Sequence, residues 1–217
     1  MSFKQDLFAQ FAGIGKAFAS GRRLELIELL AQGERSVEAL AAASGLSVAN
    51  TSQHLQILRQ AGLVRTRRQG QRIFYRLSDA DAVVRLFDAI QDLAMEQVAE
   101  ARQLVADYLG PKDPLEGVTP TDLARRIPQG EVSLIDVRPP EEFAAGHLAG
   151  AVNVPLSELE NYLEQLPPDR EVITYCRGPY CVLAFDAVAR LRESGYQARR
   201  LEGGYPEWAA AGLPVEP

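Results

Sequence analysis

A segment of glycine, proline and polar residues, GPKDPLEG at positions 110–117, interrupts the chain near its middle. Two glycines and two prolines within eight residues disfavour a regular helix or strand, and this composition is typical of a linker between domains. With 217 residues, 47% of them hydrophobic, the chain can build two separate cores. We therefore predict an N-terminal domain at 1–110, a linker at 111–117 and a C-terminal domain at 118–217.

The two halves differ in charge. The whole chain has a net charge of −6, which taken alone argues against a nucleic-acid partner. Residues 1–110, however, carry 13 basic and 12 acidic side chains, whereas residues 111–217 carry 10 basic and 17 acidic ones. The net charges of the halves are therefore +1 and −7, and the acidity belongs to the C-terminal half.

Arginines cluster in one acid-free window of the N-terminal half. No aspartate or glutamate occurs between Glu38 and Asp79. The window contains Arg59, Arg65, Arg67, Arg68, Arg72 and Arg76. Six arginines without acidic residues between them suggest a surface that faces phosphates. The alternative is an ordinary solvated basic face.

Two short helices are predicted within the same half. Ser36 is placed to cap a helix with apolar residues at helical spacing, and Gly45 then interrupts the pattern. Ser47 is a second cap candidate, before a helix over residues 48–60. Two short helices around a glycine turn form a helix-turn-helix, whose second helix can enter the major groove of DNA.

Residues 65–77 form two β-prone runs around the turn residues RQGQ, and this pattern predicts a β-hairpin. A hairpin after a helix-turn-helix makes a winged helix, a mainly α domain. Small polar side chains on the second motif helix can reach base edges, because asparagine and glutamine offer a paired donor and acceptor. The predicted DNA-contacting residues are Ser47, Asn50, Ser52, Gln53, His54, Arg59, Arg67, Arg68 and Arg72.

The segment LSVANTSQHLQILRQAGLV at 46–64, followed by the arginine-rich hairpin, resembles the ArsR (SmtB) family of bacterial repressors over about residues 5–108. The resemblance implies a homodimer, formed by the first and last helices of the domain, on a double-stranded operator. The last helix, predicted at 80–109, has a long apolar stripe that favours a partner helix.

Metal-sensing members of that family carry cysteines, or histidine and carboxylate pairs, which this half lacks. It contains no cysteine and only one histidine, His54, so no soft-metal site is predicted. His54 is expected to pack or to contact phosphate. No metal or other cofactor is predicted, and a regulatory signal is expected to enter elsewhere.

The C-terminal half alternates strand and helix patterns. Residues 132–138 and 171–176 are predicted as buried parallel strands, and residues 157–166 and 182–194 as helices. This alternation predicts an α/β domain with a mostly parallel sheet, in which functional residues lie where strands end.

Cys176 stands where one predicted strand ends. The loop RGPYC follows it and leads into the helix at 182–194, so the positive end of the helix dipole faces the sulfur. That setting, together with Arg177, favours a nucleophilic thiolate. On position alone, an inert buried cysteine is an equal alternative.

Three segments resemble a single-domain rhodanese over about residues 117–217: DVRPPEEFAAGHLAGAVNVP at 136–155, the loop at Cys176, and LEGGYPEW at 201–208. The resemblance implies that a thiolate takes a sulfane sulfur from a donor, forms a persulfide and passes the sulfur to a thiol acceptor. Cys176 matches the catalytic position, and Arg177 is the predicted catalytic residue beside it because of its charge. Gly178, Pro179, Tyr180 and Cys181 complete the loop. Asp136, Arg138, Glu142 and His147 are expected to support the loop.

Cys181 departs from the rhodanese pattern, because thiosulfate-using members often have a basic residue there. A second thiol in the loop is a candidate resolving thiol for a Cys176 persulfide. Equally, Cys181 is a small residue at a helix start. Val182 stands where related phosphatases have arginine, which disfavours phosphate chemistry.

The preferred hypothesis is a dimeric transcriptional repressor that responds to reactive sulfur species through Cys176. The alternatives are a working sulfurtransferase that the DNA-binding half only localises, and a rhodanese-like module that only binds a partner. Two cysteines are too few for a disulfide scaffold, and the N-terminus resembles neither a signal peptide nor a membrane span. A reducing cytoplasmic setting without a membrane partner is expected.

Overall fold

The computed structural model describes residues 2–113 and 117–217. The chain forms two compact units, Met1–Phe87 and Asp88–Pro217. The division lies within a helix and not at the predicted linker, because residues 88–113 pack with the C-terminal half. Residues 114–116 of that linker lie outside the described residues.

The first unit consists of helices, a short strand and a hairpin. Its elements are α1 (Phe3–Phe18), α2 (Gly21–Ala31), β1 (Arg35–Ser36), α3 (Val37–Ser44), α4 (Val48–Gln60), β2 (Val64–Gln69) and β3 (Arg72–Leu77). Helix α5 (Ala80–Gln97) begins in the first unit and ends in the second. Fully buried side chains of α2, α3 and α4 form the core between the helices, among them Leu26, Leu40 and Leu55.

Helix caps explain where the two motif helices begin. Ser36 Oγ accepts a hydrogen bond from the Ala39 amide at 3.2 Å, and Ser47 Oγ accepts one from the Asn50 amide at 3.3 Å. Gly45 ends α3 with φ +66°, a left-handed conformation that glycine adopts without steric cost. The predicted helix-turn-helix is confirmed.

Strands β2 and β3 pair antiparallel from Val64–Leu77 to Gln69–Arg72, and β1 adds to the other edge of β3. Gly70 turns the hairpin with φ +60°. The predicted wing is therefore present.

The second unit is an α/β fold. Its further helices are α6 (Ala99–Tyr108), α7 (Pro120–Arg126), α8 (Pro140–Phe143), α9 (Leu159–Tyr162), α10 (Val182–Glu193) and α11 (Tyr205–Ala210). Its strands are β4 (Val132–Asp136), β5 (His147–Leu148), β6 (Val152–Asn153), β7 (Glu171–Tyr175), β8 (Ala198–Arg200) and β9 (Val215–Glu216). The parallel sheet has the order β6-β4-β7-β8, and β5 pairs antiparallel with β9. The mostly parallel sheet was predicted correctly.

Each face of this sheet has its own core, because successive side chains of a strand point to opposite faces. Ile135 and Val172 pack with α10 residues on one face. Leu134 and Ile173 pack with Leu123 and Trp208 on the other. The buried sheet fixes the carboxyl ends of β4 and β7, where the predicted site residues lie.

Two predicted helices were wrong in extent. The helix expected at 80–109 is interrupted at Val98, which has φ −107° and ψ +106°. Arg102 stabilises the interruption, because its guanidinium donates to the carbonyl oxygens of Met95 and Glu96 at 2.9 and 2.7 Å. The helix expected at 157–166 is only α9 between two 3₁₀ turns, Leu156–Glu158 and Leu163–Gln165.

Candidate functional site

Cys176 lies directly after β7, at the carboxyl end of the parallel sheet, and is fully buried. Its Sγ is bonded to Sγ of Cys181, the N-cap residue of α10. The six-residue loop 176–181 therefore closes on itself directly before the N-terminus of that helix. The fold thus brings the two predicted sulfur residues together.

Backbone contacts hold this loop from one side. The Cys176 carbonyl accepts a hydrogen bond from the Tyr205 amide at 3.1 Å, and the Cys181 amide donates to the Gly178 carbonyl at 3.2 Å. A Cβ atom at Gly204 would lie 2.4 Å from the Cys176 carbonyl oxygen and 2.5 Å from the Gly178 nitrogen. Only glycine therefore fits at position 204 without moving the loop.

Arg177 is paired with a buried carboxylate. Its Nε donates to both carboxylate oxygens of Glu142 at 3.0 Å, and its Nη2 donates to Oε1 at 2.6 Å. The Glu142 side chain has no exposed surface, and that of Arg177 is 22% exposed. Because Glu142 balances the guanidinium charge, Arg177 anchors the loop rather than acting as a free cation beside the sulfur.

The remaining loop residues differ in burial. Gly178 is buried, whereas Pro179 and Tyr180 are half-buried. Burial raises the pKa of the Tyr180 hydroxyl, and the negative charge of Asp92 raises it further. The Tyr180 hydroxyl is thus held in its neutral form.

Asp136 and Arg138 form a fully buried ion pair at the end of β4, with Nη2 and Oδ2 2.6 Å apart. Arg138 Nη2 also donates to the Gly146 carbonyl at 2.8 Å. Its guanidinium carbon lies 4.5 Å from the ring centroid of Tyr205 and 5.5 Å from that of Tyr175. Burial alone would lower the pKa of Arg138, but its hydrogen bonds to Asp136 and the nearby negative charges together outweigh burial and raise it.

Two tyrosines complete this support, although neither is among the predicted site residues. The Tyr175 hydroxyl accepts a hydrogen bond from the Leu148 amide at 3.1 Å, and burial raises its pKa. Tyr205 belongs to the segment LEGGYPEW at 201–208, so its place in that segment was the available signal.

His147 contacts the scaffold around β5. Its ring stacks on Phe143 with the centroids 3.6 Å apart, and its Nδ1 lies 3.0 Å from the Phe143 carbonyl oxygen. Its Nε2 lies 3.5 Å from a carboxylate oxygen of Glu216. These contacts suit the supporting role that the sequence suggests.

The predicted DNA-contacting side chains lie on α4 and the wing. The inner face of α4 is buried and consists of Thr51, Leu55 and Leu58. The outer residues Asn50, Gln53 and Arg59 are exposed, as are Arg67, Arg68 and Arg72 in the wing. Ser47 is exposed and uses its hydroxyl as a helix cap, whereas Ser52 is half-buried. His54 is half-buried, and its Nδ1 has no hydrogen-bond partner among the described residues.

Arg67 differs from the other wing arginines, because Glu34 binds it. Its Nε donates to both carboxylate oxygens of Glu34 at 3.2 and 3.0 Å, and its Nη2 donates to Oε2. Its guanidinium also lies 5.0 Å from the ring centroid of Phe74. The hydrogen bonds from Arg67 lower the pKa of Glu34. The expectation of six uncompensated arginines was wrong at this position, because Glu34 lies just outside the acid-free window.

None of the helices in the described part of the chain combines the length and the apolar character that crossing a membrane requires.

Two family models match the chain. The model for the rhodanese-like domain matches residues 119–211, and the model described as "bacterial regulatory protein, arsR family" matches residues 20–66. The two matches do not overlap, and between them they include α4 and the loop 176–181.

Relatives match the whole chain or one half of it. The HTH-type transcriptional regulator Rv0324 of Mycobacterium tuberculosis is 48% identical over 213 residues, which cover 98% of this chain and 93% of the relative. A sulfurtransferase of Allochromatium vinosum is 35% identical over 95 residues, 43% of this chain and 87% of the relative. The solution structure of a homodimeric winged helix-turn-helix domain from Mycobacterium bovis is 45% identical and covers 46% of this chain and 92% of its own, with a TM-score of 0.42.

Proposed function

Because this chain belongs to the HTH-type transcriptional regulators in which an arsR-family domain precedes a rhodanese-like domain, we propose that it controls transcription in response to reactive sulfur species. The observation that carries the proposal is the bonded pair Cys176–Cys181, located between β7 and α10 of a chain that also contains a winged helix. A cytoplasmic setting stays a prediction.

The sulfur chemistry begins at Cys176. Its thiolate attacks the outer sulfur of a persulfide or polysulfide donor, and the sulfur–sulfur bond of the donor breaks. A persulfide donor leaves as a thiolate, and an inorganic polysulfide donor leaves as a polysulfide anion with one sulfur atom fewer. Cys176 then holds a persulfide. The thiolate of Cys181 attacks the Cys176 Sγ, which forms the disulfide and releases the outer sulfur as hydrosulfide. The two thiols are oxidised, and the transferred sulfur is reduced.

The surroundings of the loop support this sequence of steps. The positive end of α10 faces the loop and favours the thiolate form. The neighbouring cations Arg177 and Arg138 are already paired with Glu142 and Asp136, so a change of charge at sulfur is not cancelled by a free arginine rotating toward it.

The DNA-binding form is proposed to be a homodimer on double-stranded DNA. Helix α1 exposes Phe3, Phe8 and Phe11, and the segment α5–α6 exposes Leu93 and Leu104. Large apolar side chains are costly in water, and a second copy of the same helices would cover them. A dimer presents two α4 helices to the two halves of a symmetric site.

Gel mobility tests the proposal. The probe is a DNA fragment selected from a random-sequence library by the reduced protein, and the inducer is sodium tetrasulfide. We expect tetrasulfide to change the dissociation constant of the wild type about tenfold, within the usual range for allosteric coupling. Cys176→Ser should bind the fragment normally when reduced and should not respond. Equal responses of the two proteins would refute the proposal.

Cys181→Ser is the matched control for the second step. Tetrasulfide should add one sulfur atom to Cys176 in this variant, whereas the wild type should end as a disulfide; mass spectrometry distinguishes the two products. Hydrogen peroxide also oxidises thiols, but it adds oxygen rather than sulfur to Cys181→Ser. The two reagents therefore separate a sulfur response from a general oxidant response.

A second candidate function is sulfur transfer with turnover, favoured by the rhodanese-like match over residues 119–211. In that case a Cys176 persulfide passes its sulfur to an external thiol, and the DNA-binding half only localises the enzyme. Multiple rounds of transfer from tetrasulfide to dithiothreitol, abolished by Cys176→Ser, would support this function. A single round that ends at the disulfide would favour sensing.

A further inference from the structure

The turn after α6 is attached to the same unit as the loop 176–181, which we name the sulfur loop. Helix α6 ends at Tyr108, and the chain then turns back through hydrogen bonds from the amides of Lys112 and Asp113 to the Leu109 carbonyl, at 3.0 and 3.2 Å. Leu109 is buried. We name residues 109–113 the docking turn. Lys112 and Asp113, which belong to the linker predicted at 111–117, are bound to the fold.

Three ion pairs bind the docking turn. The Asp113 carboxylate has no exposed surface and accepts a hydrogen bond from Arg192 Nη1 at 2.7 Å, while Arg200 Nε lies 3.3 Å from its other oxygen. Lys112 Nζ lies 2.5 Å from Asp186 Oδ1. Asp186 and Arg192 both belong to α10, the helix that begins directly after Cys181. The docking turn is therefore fixed to the element whose first turn the disulfide holds.

A cavity of about 270 Å³ lies between the docking turn and the sulfur loop. Val105 and Leu109 line it on one side, and Pro179 and Tyr180 of the loop line it on the other. The cavity leaves space for the loop to change shape when the disulfide opens or a sulfur atom is added. A packed contact would instead resist such a movement.

Contacts also lead from the loop to helix α5. The Tyr205 amide and the close approach of Gly204 hold the Cys176 carbonyl. The Gly204 amide donates to Glu207 Oε2 at 2.7 Å, and Glu207 interacts with Asp88 of α5, a carboxyl group whose pKa is raised by burial. Helix α5 in turn begins in the unit that contains the winged helix.

We propose that the docking turn transmits the sulfur state of the loop 176–181 to helices α6 and α5, with Lys112 and Asp113 as positioning residues that fix this turn on α10. This inference rests on the proposed function, because it names the route by which that function is carried out. Opening or closing the disulfide moves the first turn of α10 and Tyr180. The docking turn follows, and α6 and α5 are displaced with it.

A charge swap tests the route. Lys112→Glu places a carboxylate opposite Asp186, and like charges at this distance repel. We expect the tetrasulfide response of DNA binding to fall from about tenfold to less than about twofold in this variant. Adding Asp186→Lys restores an ion pair in the opposite orientation, and the double variant should recover most of the response. A merely structural role of Lys112 would not produce such rescue.

Arg125→Glu is the matched control, because it makes the same charge change in an exposed pair with Asp122 on α7 and should keep the full response. Asp113→Asn is a second test of the docking turn. It keeps the side-chain shape, removes the charge between Arg192 and Arg200, and should also weaken the response. Circular dichroism and DNA affinity of the reduced proteins establish that each variant is folded.

The outcomes are distinguishable. If Lys112→Glu still forms the disulfide but no longer changes its DNA affinity, the inference is supported. If it responds as the wild type does, or if it loses disulfide formation itself, the docking turn does not transmit the signal. If the wild type does not respond, or Cys176→Ser responds equally, the proposed function fails and the inference fails with it.

Discussion

The arginines of the two units differ in their surroundings, although the residue is the same. In the wing, Arg68 and Arg72 are exposed, and their charges face solvent. At the sulfur loop, Arg138 and Arg177 are paired with Asp136 and Glu142, whose side chains are fully buried. Arg67 is intermediate, because it lies in the wing but is held by Glu34. An arginine is thus available for a phosphate only where no nearby carboxylate already binds it.

The largest effect is expected for the buried pair. Asp136→Asn leaves the buried Arg138 without its counter-charge, which should cost the second unit about 3 to 5 kcal/mol of unfolding free energy. Urea unfolding followed by the fluorescence of Trp208, the single tryptophan, measures this loss. Asp122→Asn removes surface ion pairs with Arg125 and Arg126 and should leave the unfolding free energy almost unchanged. Similar results for both variants would remove the distinction between buried and exposed arginines.

A smaller effect is expected for the exposed wing arginines. Arg68→Ala and Arg72→Ala should each weaken DNA binding and reduce the slope of log affinity against log salt by about one, because each arginine is predicted to contact one phosphate. Arg67→Ala should change the slope less, since Glu34 already neutralises that guanidinium. Titrations of the selected DNA fragment at several salt concentrations give the slopes. An Arg67 effect equal to the others would show that Glu34 releases it on DNA.

The smallest effect is expected for the Arg67–Glu34 pair in the absence of DNA. Arg67 lowers the pKa of Glu34 in the folded protein, so the pair stabilises the fold above pH about 4.5, the ordinary value. That stabilisation should disappear as the pH falls through the lowered pKa. Because the pair is partly exposed, Glu34→Gln should cost less than about 1 kcal/mol at pH 7. The stability difference between wild type and variant should shrink toward pH 3; a constant difference would contradict the assignment.

Local features of the fold were predictable from sequence. Ser36, Gly45 and Ser47 marked the motif helices, because caps and left-handed glycines act within a few residues. The apolar run before Cys176 marked β7 in the same way. The placement of Cys181 near Cys176 also followed from a short loop.

Contacts between distant segments were not predictable. Glu142 and Arg177 are 35 positions apart, and Lys112 and Asp186 are 74 apart. No periodicity connects such positions, so pairing in three dimensions decides them. The same reason explains why the contacts of Lys112 and Asp113 in the predicted linker were not foreseen. Glycines and prolines mark where regular structure stops, but they do not show whether the charged residues between them form ion pairs. The interruption at Val98 likewise depends on Arg102 reaching back to carbonyl groups, which a helical pattern does not reveal.

Gly204 has a consequence for comparing this chain with its relatives. It performs no chemistry, yet any side chain there would occupy the space of the Cys176 carbonyl and the Gly178 amide. A gene that keeps both cysteines but encodes another residue at this position would therefore not preserve the shape of the loop. The smallest residue near the site can thus serve as a genetic marker, separating relatives that retain a working sulfur loop from those that retain only its thiols.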